Sequence, residues 1–413
     1  MFGINEVERE IGSRVQGPRS RRISSISIDS RTVQPGELFI PIKGEKFDGN
    51  KFIKDALAKG AFVVETKDGL TALHQLAAYH RSKFDLPVIA ITGSVGKTTT
   101  KDMLASILSQ AMPTLKNEQN YNNEIGVPLT LLKLTKKHKA AVIEMGMQGK
   151  GEIELLAKIA RPTIAIVTNI GEAHLEQLGT KANIAKAKAE VFKFLKKEDW
   201  VVINADDEYY EHLVARVQGP GARVKTFGII EKADIRTKEL TGINLPLPGE
   251  HNIYNALAAI AVAKILKIKK PAIKKGLETF KPSSKRMEVI NRPDGTKIIN
   301  DTYNANPQSM AATLKVLAGI ERPNVKRIAV LGSMLELGKR SKAAHAKIIK
   351  LAKQLKIDKV LTFGEFWPSL APAEKTKKNL IKKLRQLIAP RDIILIKGSR
   401  GMRMEDVVDA IRT

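Results

Sequence analysis

One stretch restricts what this chain can fold into more than any other: Val88-Ile-Ala-Ile-Thr-Gly-Ser-Val-Gly-Lys-Thr-Thr-Thr100. A β-branched apolar run ends in Thr92-Gly93-Ser94-Val95-Gly96-Lys97-Thr98, and a helical pattern follows from Lys101 to about Gln110. Strand, glycine loop, Lys-Thr and helix is the layout of a phosphate-binding loop. The glycines let backbone N–H groups turn inward around phosphate oxygens, and the new helix aims its positive end at the same place. In such a loop Lys97 reaches the β- and γ-phosphates and the Thr98 hydroxyl ligates Mg²⁺. The pattern is not strict, because Ile91 occupies the place of the first glycine in G-x-x-x-x-G-K-[ST]. A Gly-Lys-Thr string also occurs in turns with a solvated lysine. The flanking strand and helix favour the nucleotide.

At 413 residues the chain exceeds one ordinary core, so two or three domains are expected. No apolar run approaches the length of a membrane span. The N-terminal Met1-Phe-Gly-Ile-Asn-Glu lacks a basic region followed by an apolar core, so no signal peptide is expected. With no cysteine in the chain, disulfides, thiol catalysis and cysteine-held metals are excluded, which fits a cytoplasmic protein. The formal charge of +27 is densest in residues 133–139, 264–275 and 375–383. Nucleic-acid binding is one reading of it. Aromatics amount to only 5%, which supplies a base-stacking platform poorly, and no zinc-finger or RNA-recognition motif occurs. Solvated lysine on helix faces is therefore the expectation, with no specific nucleic-acid partner.

Residues 1–86 read as a small α/β unit. The alternation in Ile23-Ser-Ser-Ile-Ser-Ile-Asp-Ser-Arg-Thr predicts a strand, Leu38-Phe-Ile-Pro-Ile a second, residues 52–59 a helix closed by Gly60, and Ala61-Phe-Val-Val a third strand. Residues 87–280 alternate strands at 88–92, 140–145, 163–168, 200–203 and 223–227 with helices at 99–110, 152–160 and 183–196. Such alternation predicts a mainly parallel sheet covered by helices, with ligands at the carboxyl ends of the strands. A turn-rich boundary at Phe280-Lys-Pro-Ser-Ser-Lys-Arg opens a third α/β domain, 281–413. Its strands are expected at 327–331, 359–363 and 393–396, and its helices at 341–355, 377–387 and 404–411. The fold class is thus three α/β domains: a central parallel-sheet ATPase domain between a small N-terminal domain and a Rossmann-like C-terminal one.

Three further features carry possible chemistry. Ala141-Val-Ile-Glu144 ends a buried strand in a carboxylate, as a Mg-nucleotide site needs opposite its loop, or as any strand end can. His174 follows the next strand and suits either a metal ligand or a helix cap. Asn120-Tyr-Asn-Asn-Glu-Ile-Gly-Val-Pro-Leu-Thr concentrates amides, which bind polar ligands without net charge, in what reads as a turn-rich connector.

Together these stretches resemble the Mur ligases, three-domain ATP-dependent amide-forming enzymes of peptidoglycan precursor synthesis. The likeness is carried by residues 92–99, 120–132 and 142–146, by Thr168-Asn-Ile-Gly-Glu-Ala-His174 and by Ala187-Lys-Ala-Glu190. It extends to Ser27-Ile-Asp-Ser-Arg31, Gly44-Glu-Lys-Phe-Asp-Gly49, Gly249-Glu-His-Asn-Ile-Tyr-Asn-Ala256 and Lys285-Arg286-Met-Glu288. Asp301-Thr-Tyr-Asn-Ala-Asn-Pro307, Leu331-Gly-Ser-Met-Leu-Glu-Leu-Gly338 and Lys397-Gly-Ser-Arg-Gly-Met402 complete it.

The resemblance implies a ligase that joins D-alanyl-D-alanine to UDP-N-acetylmuramoyl-tripeptide. The Asp-Asn-Pro-Arg motif usual in the preceding ligase of the series is absent. ATP phosphates would lie on Gly93, Ser94, Val95, Gly96, Lys97, Thr98 and Thr99. Two Mg²⁺ are expected: Thr98 and Glu144 would serve one and His174 a second, with Lys188 carbamylated to support the metal. Asn252 and Asn255 would lie beside adenine, and Arg286 and Asp301 would reach the nucleotide when the third domain closes. Ser30 and Arg31 would hold the UDP moiety, with Asn122, Asn123, Tyr303, Asn304 and Asn306 around the remaining substrate. Lys97, Lys188, His174 and Arg286 would be the catalytic set, in a monomer. Two departures stand out: Ser333 where the family usually has Asp, and Asn50 where it often has His. Two other readings stay open: a related ligase for another acid, such as the third-residue ligase or an archaeal cell-wall analogue, and a basic P-loop ATPase driven by nucleic acid.

Overall fold

The computed structural model describes residues 2–18, 22–44, 47–118, 120–217, 219, 221–230, 232–320, 323, 325–369, 371 and 373–412. Three helix-covered sheets follow one another along the chain. The first has four short strands in the order Val15–Gln16, Phe62–Val64, Leu38–Phe39, Ile26–Ser27, and only Val15–Gln16 runs antiparallel. The second has six parallel strands in the order Arg223–Phe227, Trp200–Asn204, Ile164–Val167, Val88–Thr92, Ala140–Glu144, Thr114–Lys116. The third runs Glu288–Asn291, Lys297–Asp301, Ile393–Lys397, Arg327–Gly332, Lys359–Phe363, Ala373–Glu374, antiparallel only at its first strand. The strands Val88–Thr92, Ala140–Glu144 and Ile393–Lys397 are buried along their whole length, as sheets covered on both faces require. Among the described residues no helix is long and apolar enough to cross a membrane.

Several expectations change on contact with the structure. The single strand expected from Ile23 divides. Arg22–Ile23 pairs with Phe2–Gly3, whereas Ile26–Ser27 joins the four-stranded sheet. Asp29 then ends the extended run: its backbone carbonyl accepts the Thr32 and Val33 N–H groups and its carboxylate accepts that of Arg31. The helix expected over 183–196 is shorter, Lys181–Lys188, and gives way to a 3₁₀ turn at Ala189–Phe192. That turn aims the Glu190 carboxylate at the start of the helix Glu152–Ala160, where it accepts from Gly151 and Glu154 N–H. The amide-rich stretch after Asn120 is not all connector, since Gly126–Leu131 is helical. Of the stretch Gly44–Gly49, Glu45 and Lys46 lie outside the described residues.

The phosphate-loop helix Lys97–Ser109 is clamped between its sheet and the helices Glu250–Ile265 and Lys270–Thr279. At Gly276 the approach is so close that a Cβ would stand 2.4 Å from Ile107 Cα. In an exposed helix Gly→Ala stabilises by about 1 kcal/mol. Here the sign should reverse: Gly276→Ala should lower the denaturation midpoint, by about 1–3 kcal/mol of overpacking. A raised midpoint would show that the two helices do not pack this tightly.

Candidate active site

The strand Val88–Thr92 lies between Ala140–Glu144 and Ile164–Val167, all parallel, so the loops after Thr92, Glu144 and Val167 leave from one sheet edge. The glycine loop is built against the third of these. Ser94 N–H donates to the Asn169 carbonyl and Val95 N–H to Asn169 Oδ1, both at 3.0 Å. Thr168 Oγ1 and Asn169 Nδ2 donate to the Val95 carbonyl, at 2.6 and 2.9 Å. Those N–H groups are therefore occupied. The first-turn N–H groups of Lys97–Ser109, which have no partner within the helix, are available for an anion. Both loop glycines are sterically required. A Cβ at Gly93 (φ 147°) would stand 1.9 Å from Thr168 Oγ1, and one at Gly96 (φ 86°) 2.2 Å from Asn255 Oδ1.

Two lysines converge on one acceptor. Lys97 Nζ and Lys188 Nζ each donate to the Gly93 carbonyl, at 2.9 Å. Their nitrogens are thus at most about 6 Å apart, close enough for like charges to repel strongly at low dielectric. Lys188 is buried behind the loop and does not line the cavity. Burial above all, and then the Lys97 charge, pushes its amine well below the usual lysine range. Burial also lowers Lys97, with Glu144 opposing the shift and Arg286 adding to it.

A cavity of about 570 Å³ opens in front of the loop. Its walls include Ser94–Thr99, Asn122, Asn123, Glu144, His174, Asn252 and Asn255 from the central domain, and Arg286, Asp301, Tyr303, Asn304 and Asn306 from beyond residue 280. The structure thus gathers most of the expected residues, with exceptions. Ser30 and Arg31 belong to the first sheet's surroundings, away from this cavity. There Arg31 is held by Asp29 at 2.7 Å, and Lys59 Nζ binds the Ser30 and Arg31 carbonyls. Asn123 Oδ1 is committed to Gly126 N–H, and Asn306 Oδ1 caps the helix Pro307–Ala318. Asn252 and Asn255 bond each other, and Asn255 Oδ1 also accepts from Thr100, so they brace the phosphate loop against Glu250–Ile265.

Glu144 is set by amides that sequence reading did not single out together. Asn117 bonds both the Glu144 N–H and its carbonyl, and Asn122 Nδ2 donates to Glu144 Oε1 at 2.9 Å. Glu144, the Thr98 hydroxyl and His174 face one space. Among the described residues no three His, Asp or Glu side chains cluster as an all-protein metal cage. That donor set suits Mg²⁺, which takes one or two protein groups and completes its shell with phosphate oxygens and water. His174 Nδ1 is buried, and among the described residues it closes no hydrogen bond in this conformation.

The far wall is tightly ordered. The Arg286 guanidinium stacks 3.8 Å from the Tyr303 ring centroid, while its buried Nε has no hydrogen-bond partner among the described residues. Tyr303 Oη bonds Asn120 Oδ1 across the cleft. Asp301 accepts from Lys397 Nζ, from Thr313 Oγ1 at 2.9 Å and from Met287 N–H at 3.2 Å. It thus organises the wall besides facing the cavity. Lys397 and His251 also line the site and went unremarked in the sequence, although both stand inside quoted motifs. Burial, helped by Lys397 and opposed by Asp301, brings His251 to about 4, so its imidazole is neutral. Of the two departures, Ser333 donates at 2.6 Å to the Glu365 carbonyl, which an ionised aspartate could not do. Asn50 is exposed and bonds Asp48.

The Mur ligase middle domain matches residues 91–263, the glutamate ligase domain of Mur ligases residues 285–400, and the Mur ligase family catalytic domain residues 22–133. The UDP-N-acetylmuramoyl-tripeptide–D-alanyl-D-alanine ligase of Bacillus subtilis is 35% identical over 94% of this chain and 92% of its own. The crystal structure of MurF from Acinetobacter baumannii superposes with a TM-score of 0.92 at 32% identity, over 100% of this chain and 98% of that one. MurF ligase from Thermotoga maritima, solved in complex with ADP, gives 0.82 at 27%, over 94% and 97%.

Proposed function

Because this chain belongs to the Mur ligase family, we propose that it joins D-alanyl-D-alanine to UDP-N-acetylmuramoyl-tripeptide with consumption of ATP, in peptidoglycan precursor synthesis. The observation that carries this reading is the cavity shared by the phosphate loop and the wall built on Arg286, Asp301 and Tyr303. The divisions at 86/87 and 280/281, a monomeric state and a cytoplasmic location are part of the same proposal.

The first-turn N–H groups after Gly96 would hold ATP phosphates, and Lys97 would exchange the Gly93 carbonyl for them. The terminal carboxylate of the tripeptide attacks the γ-phosphorus, giving an acyl phosphate and ADP. Thr98, Glu144 and His174 would hold Mg²⁺, which supplies charge neutralisation between the incoming and leaving oxygens. Arg286, whose Nε has no hydrogen-bond partner among the described residues, adds positive charge from the third domain. The amine of D-alanyl-D-alanine then attacks the acyl carbon and phosphate leaves. Water would hydrolyse the acyl phosphate, so the contact of Tyr303 with Asn120 closes the cleft where exclusion is needed. Ser30 and Arg31 are the proposed hold on UDP.

The test is ADP release with UDP-muramoyl di- and tripeptides, carrying lysine or diaminopimelate, crossed with single amino acids and D-alanyl-D-alanine. Release should require a tripeptide and D-alanyl-D-alanine together. Turnover with the dipeptide and a single amino acid instead would reassign the enzyme to an earlier step. Release driven by DNA or RNA alone would overturn the proposed ligase activity.

A further inference from the structure

Glu336 belongs to the stretch Leu331-Gly-Ser-Met-Leu-Glu-Leu-Gly338, which the nucleotide site leaves without a task. The strand Arg327–Gly332 ends at its sheet's carboxyl edge, and the following loop crosses to the central domain. There Glu336 Oε2 comes to 3.3 Å from His174 Nδ1. Two residues on, Gly338 packs on Glu176, where a Cβ would stand 3.4 Å from Glu176 Cγ. Consecutive contacts thus tie 174–176 to 336–338.

Three details bear on what this contact does. His174 lines the cavity and Glu336 does not, so the carboxylate stands behind the imidazole and away from the ligand space. Both residues hold left-handed backbone, His174 at φ 62° and Glu336 at φ 63°. Such a conformation is uncommon for a non-glycine residue, less so for histidine than for glutamate. Among the described residues the buried His174 Nδ1 closes no hydrogen bond in this conformation, and the Glu336 carboxylate is within ion-pair reach of it.

An imidazole binds a metal through one neutral ring nitrogen. A carboxylate that accepts from the other nitrogen fixes both tautomer and ring orientation. We propose that, within the ligase reading above, Glu336 is a positioning residue of the third domain. It accepts the Nδ1 proton of His174, leaves Nε2 as the basic nitrogen toward the cavity, and so completes the metal site only when the third domain is docked. Glu336 touches neither nucleotide nor reacting atoms. Its value lies in timing: a metal ligand that is oriented on docking delays formation of a water-sensitive acyl phosphate until the cleft has closed. An ordinary interdomain ion pair differs in a measurable way, because it requires a doubly protonated imidazolium and prefers neither ring nitrogen.

The experiment uses the full chain with ¹⁵N-labelled histidine, bound to Mg²⁺ and ADP. The His174 resonances are assigned by their loss in His174→Gln. In the wild type the ring should be neutral, protonated at Nδ1 and bare at Nε2. Glu336→Ala should move the proton toward Nε2 and raise the Mg²⁺ concentration for half-maximal ADP release about 10–100-fold. Glu336→Gln keeps an acceptor oxygen, so the tautomer should persist with a smaller rise, and this variant also serves if the alanine form does not fold. A doubly protonated ring in the wild type would overturn the proposal. So would an unchanged tautomer with an unchanged Mg²⁺ requirement in Glu336→Ala, or, should that variant not fold, an unchanged Mg²⁺ requirement in Glu336→Gln. The ring-nitrogen spectrum does not depend on which acid and amine are joined, so failure here is separable from failure of the substrate assignment.

Discussion

Lys97→Ala is expected to abolish ligation and leave the fold intact. Among the described residues the Lys97 ammonium has one hydrogen-bond partner, the carbonyl of Gly93 in its own loop. The helix that begins at Lys97 is anchored elsewhere, through its packing against Glu250–Ile265 and Lys270–Thr279. The thermal midpoint should therefore stay near that of the wild type. The chemistry has no such alternative. Charge accumulates on the γ-phosphoryl oxygens as the carboxylate attacks, and losing a preorganised cation or donor at developing charge costs on the order of 10²–10³-fold. Arg286 faces the same space from another domain and cannot replace a cation fixed at the helix start. Turnover and ADP affinity should both fall in a protein whose circular dichroism is unchanged. Near-normal turnover in the folded variant would remove the nucleotide from this cavity.

The central sheet was readable because buried parallel strands are apolar runs bounded by turns. The expected 88–92, 200–203 and 223–227 agree with the observed strands to within one residue at either end. The helix Glu250–Ile265 was not readable in the same way. It is buried on most sides, from Asn252 through Ala263, so it has no polar face and no helical periodicity to detect. The helix Pro307–Ala318 opens with an asparagine cap and a proline, a local signal that pattern reading passed over. The candidate site divides along similar lines. Gly93, Gly96, Lys97 and Thr98 are contiguous, and their arrangement is encoded locally. Glu144 and His174 are strand-end residues whose meaning depends on which strand lies alongside. Glu336, Lys397 and His251 acquire a role only through partners far away in the chain, as with Lys397 on Asp301. Lys188 is the extreme case. Its surroundings in sequence, Ala187-Lys-Ala-Glu190, read as a solvated helix end, yet its side chain is among the largest that are fully buried.

That burial motivates the second large effect: Lys188 is expected to work as a carbamate, and Lys188→Ala to lose most turnover while still binding nucleotide. An ammonium at this position would be doubly disfavoured, by loss of water and by the neighbouring Lys97 charge, while its hydrogen-bond acceptor, the Gly93 carbonyl, is shared with Lys97. A Mg²⁺ placed nearby by Thr98 and Glu144 would add to the repulsion. Lowering the lysine pKa enlarges the neutral-amine fraction at neutral pH, and the neutral amine is the form that adds CO₂. The addition makes an N–C bond and releases one proton, leaving an N–H for Gly93 and an anionic carboxylate for the metal side. Occupancy should therefore rise with bicarbonate, and acid should reverse it by protonating the amine. Lys97 and its loop are unchanged in Lys188→Ala, so ADP binding should persist. Lys188→Met, closer in volume, checks that the loss does not come from the space left behind the loop. Lys188→Glu supplies a carboxylate on a shorter stem and should recover only a little activity. The decisive measurements are the mass of the intact active protein, which should exceed the sequence mass by one CO₂, and the turnover of the alanine and methionine variants. A bare amine in the Mg²⁺-bound, active enzyme, together with wild-type rates in both variants, would rule the carbamate out.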